Sequence, residues 1–310
     1  MNFKLLQWSD THQASQTDSC NSVIDSAVGI DCVIHCGDLV QDYYEQGISP
    51  VNLRKTLCVV GNHDALLHIG VDPNGYHWEK QPTQAQLRER YISPLVNAFG
   101  VDSPDGTTWW KKLYTEQNVM VIGVNDTAIG GIAEKQLKFV EETVAECETD
   151  GYGIVLVKHG PIPSVYPIKC NFTTANANDA ITWGVDYEIT YPEANSYLAP
   201  IRQSNAKVVC ILHGHNHRDT FGSITKNDGT KIPVIGIGSV IADIFNDVPR
   251  TSNGTLNDVV MNQIEYVPEL DSLRVYRLGA YGSALGCSRK MLTWSYAKGK
   301  IVYCCSNRGV

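Results

Sequence analysis

The sequence predicts an α/β domain built on parallel or mixed sheets, and three observations predict it. Short, continuous apolar runs occupy residues 32–36, 57–60, 119–124, 154–158, 207–212 and 233–237, as expected for strands covered on both faces. Segments with helical spacing separate several of these runs. Polar, glycine-containing clusters follow their ends, and sheets of this class bind ligands beyond the carboxyl ends of their strands.

Taken in order, residues 3–8 form a first strand, and residues 15–28 a helix with Val23, Ile24 and Ala27 on one side. Helices are also predicted over 133–147, where Leu137, Val140 and Val144 recur at helical spacing, and over 192–204. Residues 65–110 and 161–191 break the rhythm. Both are polar and aromatic, with Trp78, Trp109 and Trp110 in the first and Trp183, Tyr187 and Tyr191 in the second. Connections this long are functional or hold structure of their own. Their aromatics have two readings: they stack on a nucleobase or line a groove, or they anchor a lid or a satellite core. The tail changes character again. Residues 259–267, 273–278, 290–296 and 300–304 read as antiparallel strands, with a tight turn at 297–299 joining the last two. Without an internal repeat or a linker, the expectation is one domain over 1–310, with a motif core at 1–245 and a C-terminal β region at 255–310.

The 310 residues are 43% hydrophobic, enough for a sizeable core, and 19% charged. The formal charge of −8, without a lysine or arginine run, argues against extended nucleic acid as a partner. Four of the ten cysteines, Cys32, Cys36, Cys58 and Cys210, fall inside apolar runs, where a free thiol acts as a small core hydrophobe. There is no CxxC pair, so a reducing compartment is expected. The apolar start is too short for a signal peptide, and no run is long enough to span a membrane. The cytoplasm is the expected location.

Five clusters then carry the chemistry: Asp10-Thr11-His12, Gly37-Asp38, Gly61-Asn62-His63-Asp64, His159-Gly160 and Gly214-His215-Asn216-His217. Each follows an apolar run. Asp10 and His12 lie two residues apart just past a strand, so extended backbone would point both the same way; His215 and His217 share that spacing. Asp38 has two oxygens with which to bridge two cations. Asn62 offers a neutral carboxamide oxygen. His63 can stay off the metal and donate a proton, with Asp64 accepting a hydrogen bond from it and fixing its tautomer. Hard oxygen and imidazole donors in this number suit two divalent cations and the hydrolysis of a phosphate ester.

This ordered set resembles the calcineurin-like metallophosphoesterase superfamily, whose pattern is DxH, GD, GNH followed by D or E, H, then GHxH. Every element is present, over about two-thirds of the chain. The resemblance implies a four-layer α/β/β/α sandwich of two mixed sheets, here with a C-terminal antiparallel β addition. It implies one metal on Asp10, His12, Asp38 and His217, a second on Asp38, Asn62, His159 and His215, and His63 as general acid supported by Asp64. The cofactors implied are two divalent ions (Mn, Fe or Zn). The reaction is hydrolysis of a phosphate ester by a metal-bridging hydroxide. The protein-phosphatase branch, with GDxxDRG, resembles the chain less, because Gly37-Asp38 is followed by Leu39-Val40-Gln41-Asp42-Tyr43. A phosphodiester is favoured as substrate, in a small molecule such as a nucleotide. The alternatives are a monoesterase acting on a small phosphorylated metabolite and a non-catalytic metal-binding scaffold.

Overall fold

The computed structural model describes residues 1–12, 17–40, 55–65, 68–72, 75–78, 82–126, 133–160, 162, 166–167, 198–215, 220–239, 259–279 and 287–308. The amino-terminal half of the first sheet is β1 (Phe3–Trp8), β2 (Cys32–His35) and β3 (Leu57–Cys58), all parallel. Helix α1 (Thr17–Ser26) joins the first two and buries Cys20 and Ile24. These elements lie where the apolar runs predict them, and β3 is two residues shorter.

The segment 65–110 has structure of its own, which the sequence reading left unassigned. A two-stranded ribbon, β4 (His68–Asp72) and β5 (Gly75–Trp78), is followed by α2 (Gln84–Leu87), a π-helical turn at Arg88–Ile92 and α3 (Ser93–Phe99). Thr83 starts α2 with a capping box: its hydroxyl accepts from the Gln86 amide, and its own amide donates to the Gln86 side chain. Gly100, at φ 60°, ends α3 in the left-handed conformation that glycine tolerates.

The second sheet contains β6 (Trp110–Tyr114), β7 (Val119–Gly123), β8 (Gly153–Val157), β9 (Tyr166–Pro167), β10 (Val208–His213), β11 (Thr220–Thr225) and β12 (Lys231–Gly236). Its order is β6-β7-β8-β10-β12-β11-β9, with β7, β8, β10 and β12 parallel and the flanking strands antiparallel. Side-chain alternation divides this sheet. Val119, Val121, Val155, Val157 and Ile235 face the core shared with the first sheet. Met120, Ile122, Ile154, Leu156 and Val234 join a second core under α4 (Ala133–Asp150) and α5 (Leu198–Gln203). The two sheets therefore pack face to face with helices outside, the four layers expected.

The C-terminal strands β13 (Val260–Val267), β14 (Ser272–Gly279), β15 (Cys287–Ser295) and β16 (Lys300–Arg308) are antiparallel, as predicted. They are not an appendage. The first sheet runs β16-β15-β14-β13-β1-β2-β3, with β13 paired antiparallel to β1. Val260, Met261, Ile264, Leu273 and Trp294 are buried in the core shared by the sheets.

The aromatic residues at 109 and 110 also belong to cores. Trp110 is fully buried, and its indole N–H donates to the Cys58 carbonyl at 2.8 Å; Trp109 packs in the second core. Both therefore pack in the two cores of the sheets instead of forming a satellite core. The side chain of Trp78 and almost all of 161–191 lie outside the described residues. Among the described residues six free cysteines are buried, in keeping with thiols used as core hydrophobes, and no helix is long and apolar enough to cross a membrane.

Candidate metal centre

The parallel strands of both sheets deliver their carboxyl ends to one place. From the first sheet, β1 leads into Asp10 and His12, β2 into Asp38, and β3 into Asn62, His63 and Asp64; from the second, β8 leads into His159 and β10 into His215. Backbone bonds tie the exits together. The Asp10 amide donates to the Gly37 carbonyl at 3.0 Å, His12 to Asp38 at 3.2 Å and Gly214 to His159 at 3.0 Å.

Asp10 and His12 do converge, by a different route from extended backbone. Their φ values are 53° and 42°, and Asp38 and His215 have 56° and 69°. The chain leaves each strand through a left-handed residue, and that turn aims the side chain. Such conformations cost on the order of 1–3 kcal/mol each and cluster at functional sites.

Glycines make the approach possible. A Cβ on Gly61 would collide with the Asp38 carboxylate and amide, one on Gly37 would sit 2.6 Å from His159 Nδ1, and one on Gly214 would collide with Ser9 Oγ.

Asp38 is central. Its Oδ2 lies 3.2 Å from His159 Nε2 and 3.8 Å from His12 Nε2, while Oδ1 accepts from the His63 amide at 2.8 Å. Two groups of donor atoms result, His12–Asp38–His63 and Asp38–His159–His215, and Asp38 belongs to both. Asn62 Oδ1 completes the second group, 2.8 Å from His159 Nε2 and 2.9 Å from His215 Nδ1; those two nitrogens are 3.2 Å apart. His159 Nδ1 donates to the Cys36 carbonyl at 2.7 Å, which leaves Nε2 to face the cluster. These oxygen and imidazole nitrogen atoms lie at the spacing of ligands that share a cation. Bonds of about 2.0–2.2 Å to a metal place neighbouring ligands roughly 3 Å apart, so the donor set fits.

Asp10 lies beside the first group. Its carboxylate accepts from the His215 amide at 3.0 and 3.2 Å and approaches His12 Nε2 to 4.0 Å. His63 and His12 meet edge to face with ring centroids 4.7 Å apart. His217, the remaining predicted ligand, lies outside the described residues.

Asp64 acts differently from expectation. Its two oxygens accept the amides of Asp38 (2.9 Å), Leu39 (2.9 Å), Val40 (3.1 Å) and Gly61 (2.8 Å). It supports the site by clamping the turns after β2 and β3, in place of the expected bond to the His63 ring. Burial and the nearby Asp38 push its pKa up to about 7, against those amides. Four N–H donors need its lone pairs, and on that ground it is a carboxylate.

The field favours positive charge. Burial disfavours the His159 imidazolium, but Asp38, Asp10 and Asp126 outweigh it and raise its pKa to about 10. His35 and His213 are neutral by contrast, lowered by burial to about 3 and about 4. His35 Nδ1 accepts the Gly37 amide at 3.2 Å, so this ring braces the turn before Asp38.

Sequence reasoning missed His35 and also Ser239, whose hydroxyl donates to the Asp10 carbonyl at 2.8 Å. Asp126 was missed too, although it follows an apolar strand as the other clusters do.

The sequence model of the calcineurin-like phosphoesterase family matches residues 3–219. The chain belongs to this family. This phosphoesterase is thus a metal-dependent phosphoric ester hydrolase. Solved structures similar to it include a predicted phosphoesterase from Streptococcus pneumoniae TIGR4, with 12% identity and a TM-score of 0.39 over 95% of this chain and 99% of that one. Another is a purple acid phosphatase from yellow lupin (Lupinus luteus) seeds, with 12% identity and a TM-score of 0.47 over 98% of this chain and 53% of the lupin chain. No curated protein matches the phosphoesterase significantly.

Proposed function

We propose that this phosphoesterase hydrolyses a small phosphodiester at a two-cation centre, with His63 as the general acid. The observation that carries the reading is the place of Asp38, whose carboxylate belongs to both donor groups. Asp10, His12, Asp38 and His217 would hold one cation; Asp38, Asn62, His159 and His215 would hold the other. Two divalent ions, when bound, supply charge for the phosphoryl oxygens and acidify a coordinated water.

The chain's own residues do the rest. Asp38 fixes the spacing of the two ligand groups, and Asp64 holds the turns that carry Asp38 and Asn62. The His63 amide is anchored on Asp38 Oδ1, and its ring lies beside His12 as the one member of the first donor group kept for proton delivery and not for the metal. From there it delivers a proton to the departing alkoxide, help worth typically ~10²–10⁴ in rate. A diester carries one negative charge where a monoester carries about −1.5 to −2, so an acidic chain of formal charge −8 repels it less.

The test is a panel of diesters, monoesters and cyclic nucleotides with Mn²⁺, Fe²⁺ or Zn²⁺, run on wild type and His63→Ala. The expected result is faster turnover of diesters and, for the variant, full metal content with a loss of ~10²-fold or more on alkyl leaving groups but little on p-nitrophenolate. Equal loss on both leaving groups would remove His63 from proton donation, and faster monoester turnover would reassign the substrate.

A further inference from the structure

One buried ion pair stands behind the metal centre. Asp126, just past β7, lies 3.1 Å from the Lys158 ammonium at the end of β8, and the two side chains are 4% and 1% exposed. Attraction in a buried pair often fails to repay its desolvation, so stability alone is a poor reason for this one. The remaining bonds of Asp126 point to another. Oδ1 accepts from the His159 amide at 3.2 Å and Oδ2 from the Gly160 amide at 2.8 Å, the two N–H groups on either side of the His159 α-carbon.

The loop bearing Asp126 is itself held. The Gln136 carboxamide, from α4, accepts the Asn125 amide at 2.8 Å and donates to the Asn125 carbonyl at 2.9 Å; Asn125 Nδ2 donates to Thr108 Oγ1 at 2.7 Å. Asp126 thus has a fixed footing on one side and grips the His159 backbone on the other. The ring is fixed separately by its Nδ1 bond to Cys36.

We infer that Asp126 and Lys158 are positioning residues for the second cation group. Asp126 fixes the backbone from which the His159 side chain projects, and Lys158 offsets the Asp126 charge and keeps that carboxylate on the amides instead of on a cation. The inference rests on His159 being a metal ligand.

The experiment is calorimetric titration of the chelator-stripped full chain with Mn²⁺, checked by elemental analysis, alongside melting of the stripped chain. Wild type is expected to take two equivalents in two steps, and His159→Ala to lose one. Asp126→Asn is expected to weaken that same step by about 10–100-fold and leave the other unmoved, because an asparagine accepts at one amide only and turns N–H groups toward the other. Lys158→Met should weaken the same step by less. Gly160→Ala attacks the contact from the other side, since its Cβ would lie 2.9 Å from Asp126 Oδ2, and it keeps the test available if Asp126→Asn fails to fold. Wild-type isotherms from these variants, or equal weakening of both steps with a lowered melting temperature, overturn the positioning role while the two-cation reading stands. Two intact steps in His159→Ala, or no Mn²⁺ uptake by wild type, overturn that reading and the inference with it.

Discussion

At the scale of single residues, the site is a set of tolerated penalties. Four candidate ligands sit at positive φ, which leaves little freedom in how their neighbours are chosen. The clearest case is Gly61, whose missing side chain is the space the Asp38 carboxylate occupies. We predict that Gly61→Ala displaces Asp38 and lowers metal content at both sites together, because Asp38 serves both. It should also cost about 1–3 kcal/mol of stability, typical of overpacking. Elemental analysis and urea denaturation measure the two effects, and an alanine variant holding two full equivalents would refute the shared carboxylate. The candidate ligand types were legible in the sequence because imidazole and carboxylate chemistry is local. The means of convergence was not. A two-residue spacing implied extended backbone at Asp10 and His12, whereas the left-handed turns there are set by bonds such as Asp10 to Gly37, distant in sequence. The Asp64 clamp was hidden for the same reason: its acceptor role depends on a turn 24 to 26 residues away.

At the scale of elements, buried strands announce themselves and the region between them does not. Residues 119–123 are apolar on both faces because one face meets the other sheet and one meets α4. The stretch Arg88–Ile92 is charged and wound as a π-helical turn, which breaks the period a helix would show. What fixes it is tertiary: Arg88 donates to Ser103 Oγ and to the carbonyls of Pro104 and Thr107, each at 2.9 Å. Trp110 was open to a stacking role only because its surroundings were unknown. Its burial and its bond to Cys58 predict a structural phenotype. Trp110→Ala should cost ~3–5 kcal/mol, whereas Trp110→Phe, which loses the indole bond but keeps much of the packing, should cost ~1–2 kcal/mol and leave KM unchanged. Denaturant titration and steady-state kinetics separate the cases, and a raised KM with wild-type stability would return Trp110 to the substrate.

At the scale of the whole molecule, the two sheets must hold their spacing, because each supplies part of the candidate ligand set. A buried polar chain crosses between them. Gln7 of β1 donates to the carbonyls of His213 and Ile235 in the second sheet, at 3.2 and 3.1 Å; Asn262 of β13 donates to Gln7 at 3.1 Å, and Arg277 of β14 to Asn262 at 3.4 Å. His213 lies two residues before the candidate ligand His215. The C-terminal strands are therefore linked by hydrogen bonds, through Gln7, to the strand that leads into His215, even though the family match ends at residue 219. A chain ending at residue 255 would strip β1 of its antiparallel neighbour and expose the face that Val260, Met261, Ile264 and Leu273 cover. An apolar sheet edge left open is an aggregation site. We predict that this truncation yields aggregated protein without cooperative unfolding and without metal. The milder Gln7→Leu should fold with a loss of ~1–3 kcal/mol, the cost of taking the Gln7 donor from two buried carbonyls and the acceptor from Asn262 Nδ2. A soluble truncated chain that melts cooperatively and binds two equivalents of Mn²⁺ would show that the C-terminal strands are separable from the motif core.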